Sequence, residues 1–248
     1  MMSHKWEDVN KWYDSIVGKD GHYYHKNILL PHIINILSGL KEILDLGCGT
    51  GVLANNIDPK STYYGIDQSQ SFILKAKNFT KNKNFKFFVG DIEKPLNFEK
   101  RDFDAAVAML VMQGLKNPGS AIKNASIHLK KNGKFLIILN HPCFRIPRQT
   151  SWDIDQKTLI QSRKIQRYMS HLEIPIQINP SRDENSKSII SYHDPISKYF
   201  SWLNENGFVV LNLFELISDK KSEGKFKKME DRAREEFPLF LSLLCEKR

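Results

Sequence analysis

The run ILDLGCGTG at residues 43–51 decides the fold: an apolar stretch that opens onto Gly47, Gly49 and Gly51. Glycines stand where the backbone turns tightly or approaches a ligand with no Cβ in the way. With a helix expected to start near Val52, the stretch reads as strand, glycine loop, helix. That is the opening unit of an open α/β sheet.

Outward from this loop the rhythm repeats. Strands are expected at 42–46, 62–66, 85–89, 103–109 and 134–140, with helices at 29–40, 69–78 and 118–129. Short strands alternating with helices predict parallel strands joined by right-handed crossovers. The strands are nearly continuous apolar runs (EILDL, FKFFV, FDAAVAM, KFLIIL), as expected when helices cover both faces. The rhythm breaks at 142–192, read as an inserted lid with an amphipathic helix over 158–169 and a hairpin from 174–178 and 188–192. It resumes with a helix at 195–206 and a strand at 208–213. A partly helical charged stretch spans 219–236, and a last strand 237–245.

Two acidic residues follow the next strands in step with the loop, Asp67 in YYGID at 63–67 and Asp91 in VGDIE at 89–93. Open α/β sheets bind ligands at the carboxyl ends of their strands. A carboxylate in the place of Asp67, beside Gln68, can accept hydrogen bonds from both hydroxyls of a ribose. One at Asp91 can take an adenine amino group while Ile92 covers the ring. Spacing separates two ligand types: a dinucleotide fingerprint, G-x-G-x-x-G, would need glycine where Val52 stands. The G-x-G-x-G found here suits S-adenosylmethionine (SAM).

With these residues the chain resembles class I, Rossmann-like SAM-dependent methyltransferases, particularly the small-molecule group that includes quinone-biosynthesis C-methyltransferases. FDAAVAMLVMQGL at 103–115 and GKFLIILNHP at 133–142 complete the match, which covers roughly residues 40 to 142. The resemblance implies a doubly wound seven-stranded α/β sheet of order 3-2-1-4-5-7-6 with strand 7 antiparallel, within one domain spanning 1–248. It implies that Gly47, Cys48, Gly49 and Gly51 line the methionine end of SAM, with Met109 near them. Asp67 and Gln68 then face the ribose, and Asp91 and Ile92 the adenine. The segment WYDSIVGKDGHYYHKNILLP is similar to N-terminal cap helices (1–40) that close over the cofactor, with Tyr13 or Tyr24 touching it.

Methyl transfer from a sulfonium is an in-line displacement, so positioning carries most of the catalysis, and a base is needed only for a protonated acceptor. The acceptor is expected over the ends of the fourth and fifth strands. Gln113 and His141 are the candidate catalytic groups there. His141 is read equally as a base or as a turn cap before Pro142. Arg145, Arg148, Trp152, Tyr192 and His193 are the candidate substrate contacts. Either arginine could hold a carboxylate or phosphate, or be plain surface charge. His193, just before a helix start, leans structural. Cys143 raises a covalent route used by cytosine C5-methyltransferases, but its flanking sequence does not match.

Composition narrows the classes. The 248 residues carry 41% hydrophobic and 26% charged side chains, ordinary for a globular protein. No apolar run approaches a membrane span, the N-terminal segment lacks a secretory pattern, and the three separated cysteines fit a reducing compartment. A cytoplasmic protein is expected. No metal is expected: His22 and His25 lie three apart with no third ligand nearby in sequence. The net charge of +9 leaves RNA or protein as an alternative acceptor. Against that, AMLVMQGL contains no Asn-Pro-Pro-Tyr or Asp-Pro-Pro-Tyr. A non-catalytic SAM-binding regulator would carry the same loop and aspartates. Oligomeric state is not legible.

Overall fold

The computed structural model describes residues 17–18, 21–177 and 188–248. Tyr13 and most of the expected cap lie outside the described residues. Seven strands form one sheet: β1 (Glu42–Leu46), β2 (Thr62–Asp67), β3 (Phe85–Val89), β4 (Phe103–Met109), β5 (Leu129–Asn140), β10 (Phe208–Leu216) and β11 (Phe240–Lys247). The spatial order is β3-β2-β1-β4-β5-β11-β10. The pairs among β1 to β5 are parallel, and β11 runs antiparallel to both neighbours. This is the sheet that the resemblance implies.

Alternation along each strand divides the core between two faces. Leu44 and Leu46 of β1 point into one cluster with Tyr64, Ile66 and Phe135. This cluster takes in α3 (Pro118–His128) through Ala121, Ile122 and Ala125, and α4 (Ile196–Glu205) through Tyr199 and Leu203. Ile43 points into the other cluster with Tyr63, Leu136 and Ile138. That face is covered by α1 (Leu30–Leu37) through Leu30, Ile33 and Leu37, and by α2 (Gln70–Phe79) through Ile73 and Ala76. Ala105, Ala106 and Ala108 keep β4 thin at the centre, so layers can approach from both sides. Ser69 caps α2 by accepting the Phe72 N–H at 3.2 Å.

Two expectations fail. No regular helix follows the glycine loop: residues 51–57 form successive turns, with the Asn55 N–H on Gly51 C=O and the Asn56 N–H on Leu53 C=O. Nor do the described residues of the inserted segment contain a helix. They hold two hairpins, β6 (Thr150–Asp155) with β7 (Ile160–Ile165), and β8 (Leu172–Gln177) with β9 (Ser188–His193). The Asp155 carboxylate accepts the N–H groups of Lys157 and Thr158, closing the first turn where a helix was expected to begin. β9 packs on a 3₁₀ turn at Met112–Gly114, and α5 (Lys227–Glu236) packs on β7. None of the helices among the described residues is long and apolar enough to cross a membrane.

Candidate cofactor and acceptor site

The carboxyl ends of β1, β2, β3 and β4 open onto one cavity of about 430 Å³, which extends to Asn140 at the end of β5, to Arg145 beyond it and to Phe240 of β11. The glycine loop forms its floor. The N–H groups of Gly47 and Cys48 both donate to the Ile66 carbonyl, at 2.8 and 2.9 Å, tying the loop to the end of β2. Asp67 then grips it from the side. Its Oδ2 accepts the Gly49 N–H at 3.0 Å and its Oδ1 the Ser69 N–H at 2.9 Å. These two bonds orient the Asp67 carboxylate, which lines the cavity. Asp91 is oriented similarly by the Glu93 N–H at 2.9 Å, and Ile92 lies buried beside it.

Beneath the loop, Asp45 is 2% exposed and accepts the Tyr63 hydroxyl at 2.5 Å. Burial, then the nearby Asp67 charge, push its carboxyl up to about 7, against the opposing pull of the Tyr63 bond. The unfolded chain ionises this group near 3.8, whereas the folded one holds the proton until about 7. Stability is therefore fully present below the lower value and lost as pH rises through the upper one. Asp45→Asn is expected to leave Tm nearly unchanged near pH 4 and to raise it by several degrees at pH 8. A pH-independent shift would refute the assignment.

The roof comes from the first described residues. Thr50 Oγ1 donates to Gly18 C=O at 3.1 Å, joining roof and loop. His22 and His25 lie with ring centroids 4.2 Å apart, and Tyr24 meets Phe240 edge-on at 5.9 Å. His25 begins a π-helical segment, His25–Leu29, and burial pushes its imidazole down to about 4. Burial lowers His22 too, and its Nδ1 accepts the Tyr24 N–H at 3.1 Å.

Ten of the expected residues line this cavity: Gly47, Cys48, Gly49, Asp67, Gln68, Asp91, Ile92, Met109, Tyr24 and Arg145. Gly51 lies beneath the loop instead, where a Cβ would come 3.2 Å from Ala76 of α2. Gln113 donates to the Asn140 carbonyl at 3.1 Å. His141 is 1% exposed, and both its ring nitrogens are taken. Nδ1 accepts the Cys143 N–H at 3.2 Å, so Nε2 carries the proton and donates to Glu215 at 3.0 Å. That is the bonding of a turn cap, and it leaves no ring nitrogen for an acceptor's proton. His141→Ala is accordingly expected to lower Tm by several degrees while affinity for S-adenosylhomocysteine (SAH) stays within about two-fold. Thermal melts and titration of the same sample check both.

The remaining candidates point elsewhere. Arg148 is exposed, and Trp152, 43% exposed, stacks under the Arg163 guanidinium. Tyr192 stacks on His171, and His193 donates to the Tyr168 carbonyl. None of these four, nor Gln113 or His141, is among the lining residues. Cys143 is partly buried, and burial raises its thiol, which opposes a thiolate role. Sequence reasoning missed Phe240, His22 and His25 as cavity residues, because local pattern carries no sign of contacts between residues 22–25 and 240.

A sequence profile described as a methyltransferase domain matches residues 37–172, more than half of the chain. The chain belongs to the class I SAM-dependent methyltransferase family. The chain is 35% identical over 98 residues to the malonyl-[acyl-carrier protein] O-methyltransferase of Bacillus anthracis, covering 38% of this chain and 36% of that one. It is 29% identical over 139 residues to a demethylmenaquinone methyltransferase of Leptospira interrogans, covering 53% and 54%. The matches thus span about a third to a half of these relatives' own length. Among solved structures, a SAM-dependent methyltransferase from Mesorhizobium loti superposes with a TM-score of 0.65 at 20% identity, covering 88% of this chain and 96% of that one. At that identity the likeness speaks for the fold.

Proposed function

We propose that this protein transfers the methyl group of SAM to a small-molecule acceptor bound at the β4–β5–β11 end of the cavity. The observation that carries the reading is the continuity of that cavity. It runs from the carboxylates at the ends of β2 and β3, past the glycine loop, to an aromatic and basic end at Tyr24, Arg145 and Phe240. The donor set suits SAM: two oriented carboxylates for hydroxyl and amino groups, apolar walls at Ile92, Phe72 and Leu115, and acidic rather than basic side chains near β1 and β2. Bound there, SAM supplies an electrophilic methyl on a sulfonium.

The chain's own part is positional. Asp67 orients a ribose, Asp91 and Ile92 hold a purine, and Gly47 and Gly49 let the backbone come close. Tyr24 and His22 roof the site and exclude water, and the segment 142–192 acts as a lid that selects the acceptor. Positioning of this kind lowers barriers by about 7–11 kcal/mol in favourable cases. The curated relatives named above act, by name, on malonyl-[acyl-carrier protein] and on demethylmenaquinone. Those names support a small or carried organic acceptor over a nucleic acid.

The test is calorimetric titration with SAM and SAH, followed by label transfer from methyl-tritiated SAM into a cell extract. Micromolar binding with label in the small-molecule fraction supports the reading. Label in RNA, or on protein side chains rather than on a group carried by a protein, would replace the acceptor class, binding without transfer would leave a SAM-binding regulator, and no binding would sink the reading.

A further inference from the structure

Resting on that reading, we infer that the acceptor carries a carboxylate and that Arg145 is the group that receives it. Arg145 follows β5, its backbone held by an N–H bond to His141 C=O at 2.9 Å. Its guanidinium lies over the Phe240 ring, 5.7 Å from the centroid, and lines the cavity. Among the described residues no carboxylate pairs with it. The ionisable groups that feel it are Tyr24, His22 and Arg163, and none of them brings a negative charge at neutral pH. Burial lowers Arg145 and both nearby histidines, and although the Lys220 ammonium lies 5.0 Å from the Tyr24 ring centroid, Arg145 is the cation that lines the cavity at this end.

A partly buried cation without a counter-charge is held at a free-energy penalty that an incoming anion removes. Arg163, the next guanidinium, is already committed to Phe144 C=O, Thr150 Oγ1 and the Trp152 face. One planar guanidinium with five donors can grip a carboxylate or a phosphate in bidentate fashion, and its single charge is balanced in full by the carboxylate monoanion. Place in the sheet separates this anion site from the ribose carboxylate: β5 lies three strands from β2, roughly 14 Å at ordinary strand spacing. The aromatic walls Tyr24 and Phe240 leave an apolar body as the rest of the acceptor. The acceptor class is therefore an aromatic or alkyl carboxylic acid.

The SAH-loaded protein is titrated with three matched pairs, benzoate with benzamide, cinnamate with cinnamamide, and decanoate with decanamide, and with phenyl phosphate. At least one acid is expected to bind about ten-fold or more tightly than its amide. Arg145→Gln is expected to erase that preference while leaving SAH affinity within about two-fold, and Arg145→Lys to keep part of it. The comparison on the unmutated protein decides the matter even if a variant folds poorly. No preference in any pair overturns the inference, as does phenyl phosphate binding more tightly than every acid. An equal loss of SAH affinity in Arg145→Gln also overturns it, assigning the arginine to the cofactor's own carboxylate. Failure of the unmutated protein to bind SAH removes the underlying reading as well.

Discussion

Asp67→Ala is expected to weaken SAM and SAH binding by about two to three orders of magnitude. A hydrogen bond to a charged group contributes about 1.5–3 kcal/mol, and a ribose presents two hydroxyls to this carboxylate. The same substitution removes the acceptor for the Gly49 and Ser69 N–H groups, so the glycine loop loses its lateral tie. Asp67→Asn separates the two effects. Its remaining carbonyl oxygen can accept from Gly49 or from Ser69 but not through both former carboxylate oxygens, and it carries no charge. An affinity between those of wild type and alanine is therefore expected, with a melt close to wild type. Calorimetry and a thermal melt on each variant read binding and loop integrity independently. A loss of less than about three-fold in Asp67→Ala would remove this residue from the cofactor site.

The cofactor end of the site is legible in the sequence because its chemistry is local. The loop at 43–51, Asp67 and Asp91 each stand at the end of an apolar run, and parallel strands bring successive run ends to one edge. The acceptor end is less legible because it is assembled from distant segments. Tyr24 meets Phe240 and Ser218, and Arg145 lies on Phe240, through antiparallel pairing of β11 with β5. The stretch 158–169 misleads for a different reason. Leu159, Ile160, Ile165 and Met169 fall at spacings a helix could use, but all four are exposed, and Leu159 sits at φ 52 in the hairpin turn. Pairing with Thr150–Asp155 supplies the backbone partners that a helix would otherwise have provided. The role of His141 turns on one carboxylate from another strand. Glu215 lies 74 residues away and accepts a hydrogen bond from Nε2–H, which leaves Nδ1 as the unprotonated nitrogen, and the Cys143 N–H occupies it.

Gly47→Ala is the second large effect expected, and it is one of stability as well as binding. Gly47 sits at φ 76, left-handed backbone that costs other residues about 1–2 kcal/mol. A Cβ there would also fall 2.4 Å from Cγ2 of Val111, a distance that no side-chain adjustment of the loop itself relieves. Overpacking of this kind costs about 1–3 kcal/mol, so the total is about 2–5 kcal/mol, or a fall in Tm of roughly 5–20 °C. Gly39 supplies the control. It has φ 81 and nothing within 4 Å of an added Cβ, so Gly39→Ala reports the backbone term alone. Val111→Ala combined with Gly47→Ala removes the clash while keeping the strain. The double variant should therefore recover stability down to about the Gly39→Ala penalty, once the cost of Val111→Ala alone is subtracted in a double-mutant cycle. Because Gly47 and Val111 both line the cavity, SAH affinity should follow the same order. A coupling near zero would mean that the loop moves aside from Val111, and the rigid floor assigned to the cofactor would have to be abandoned.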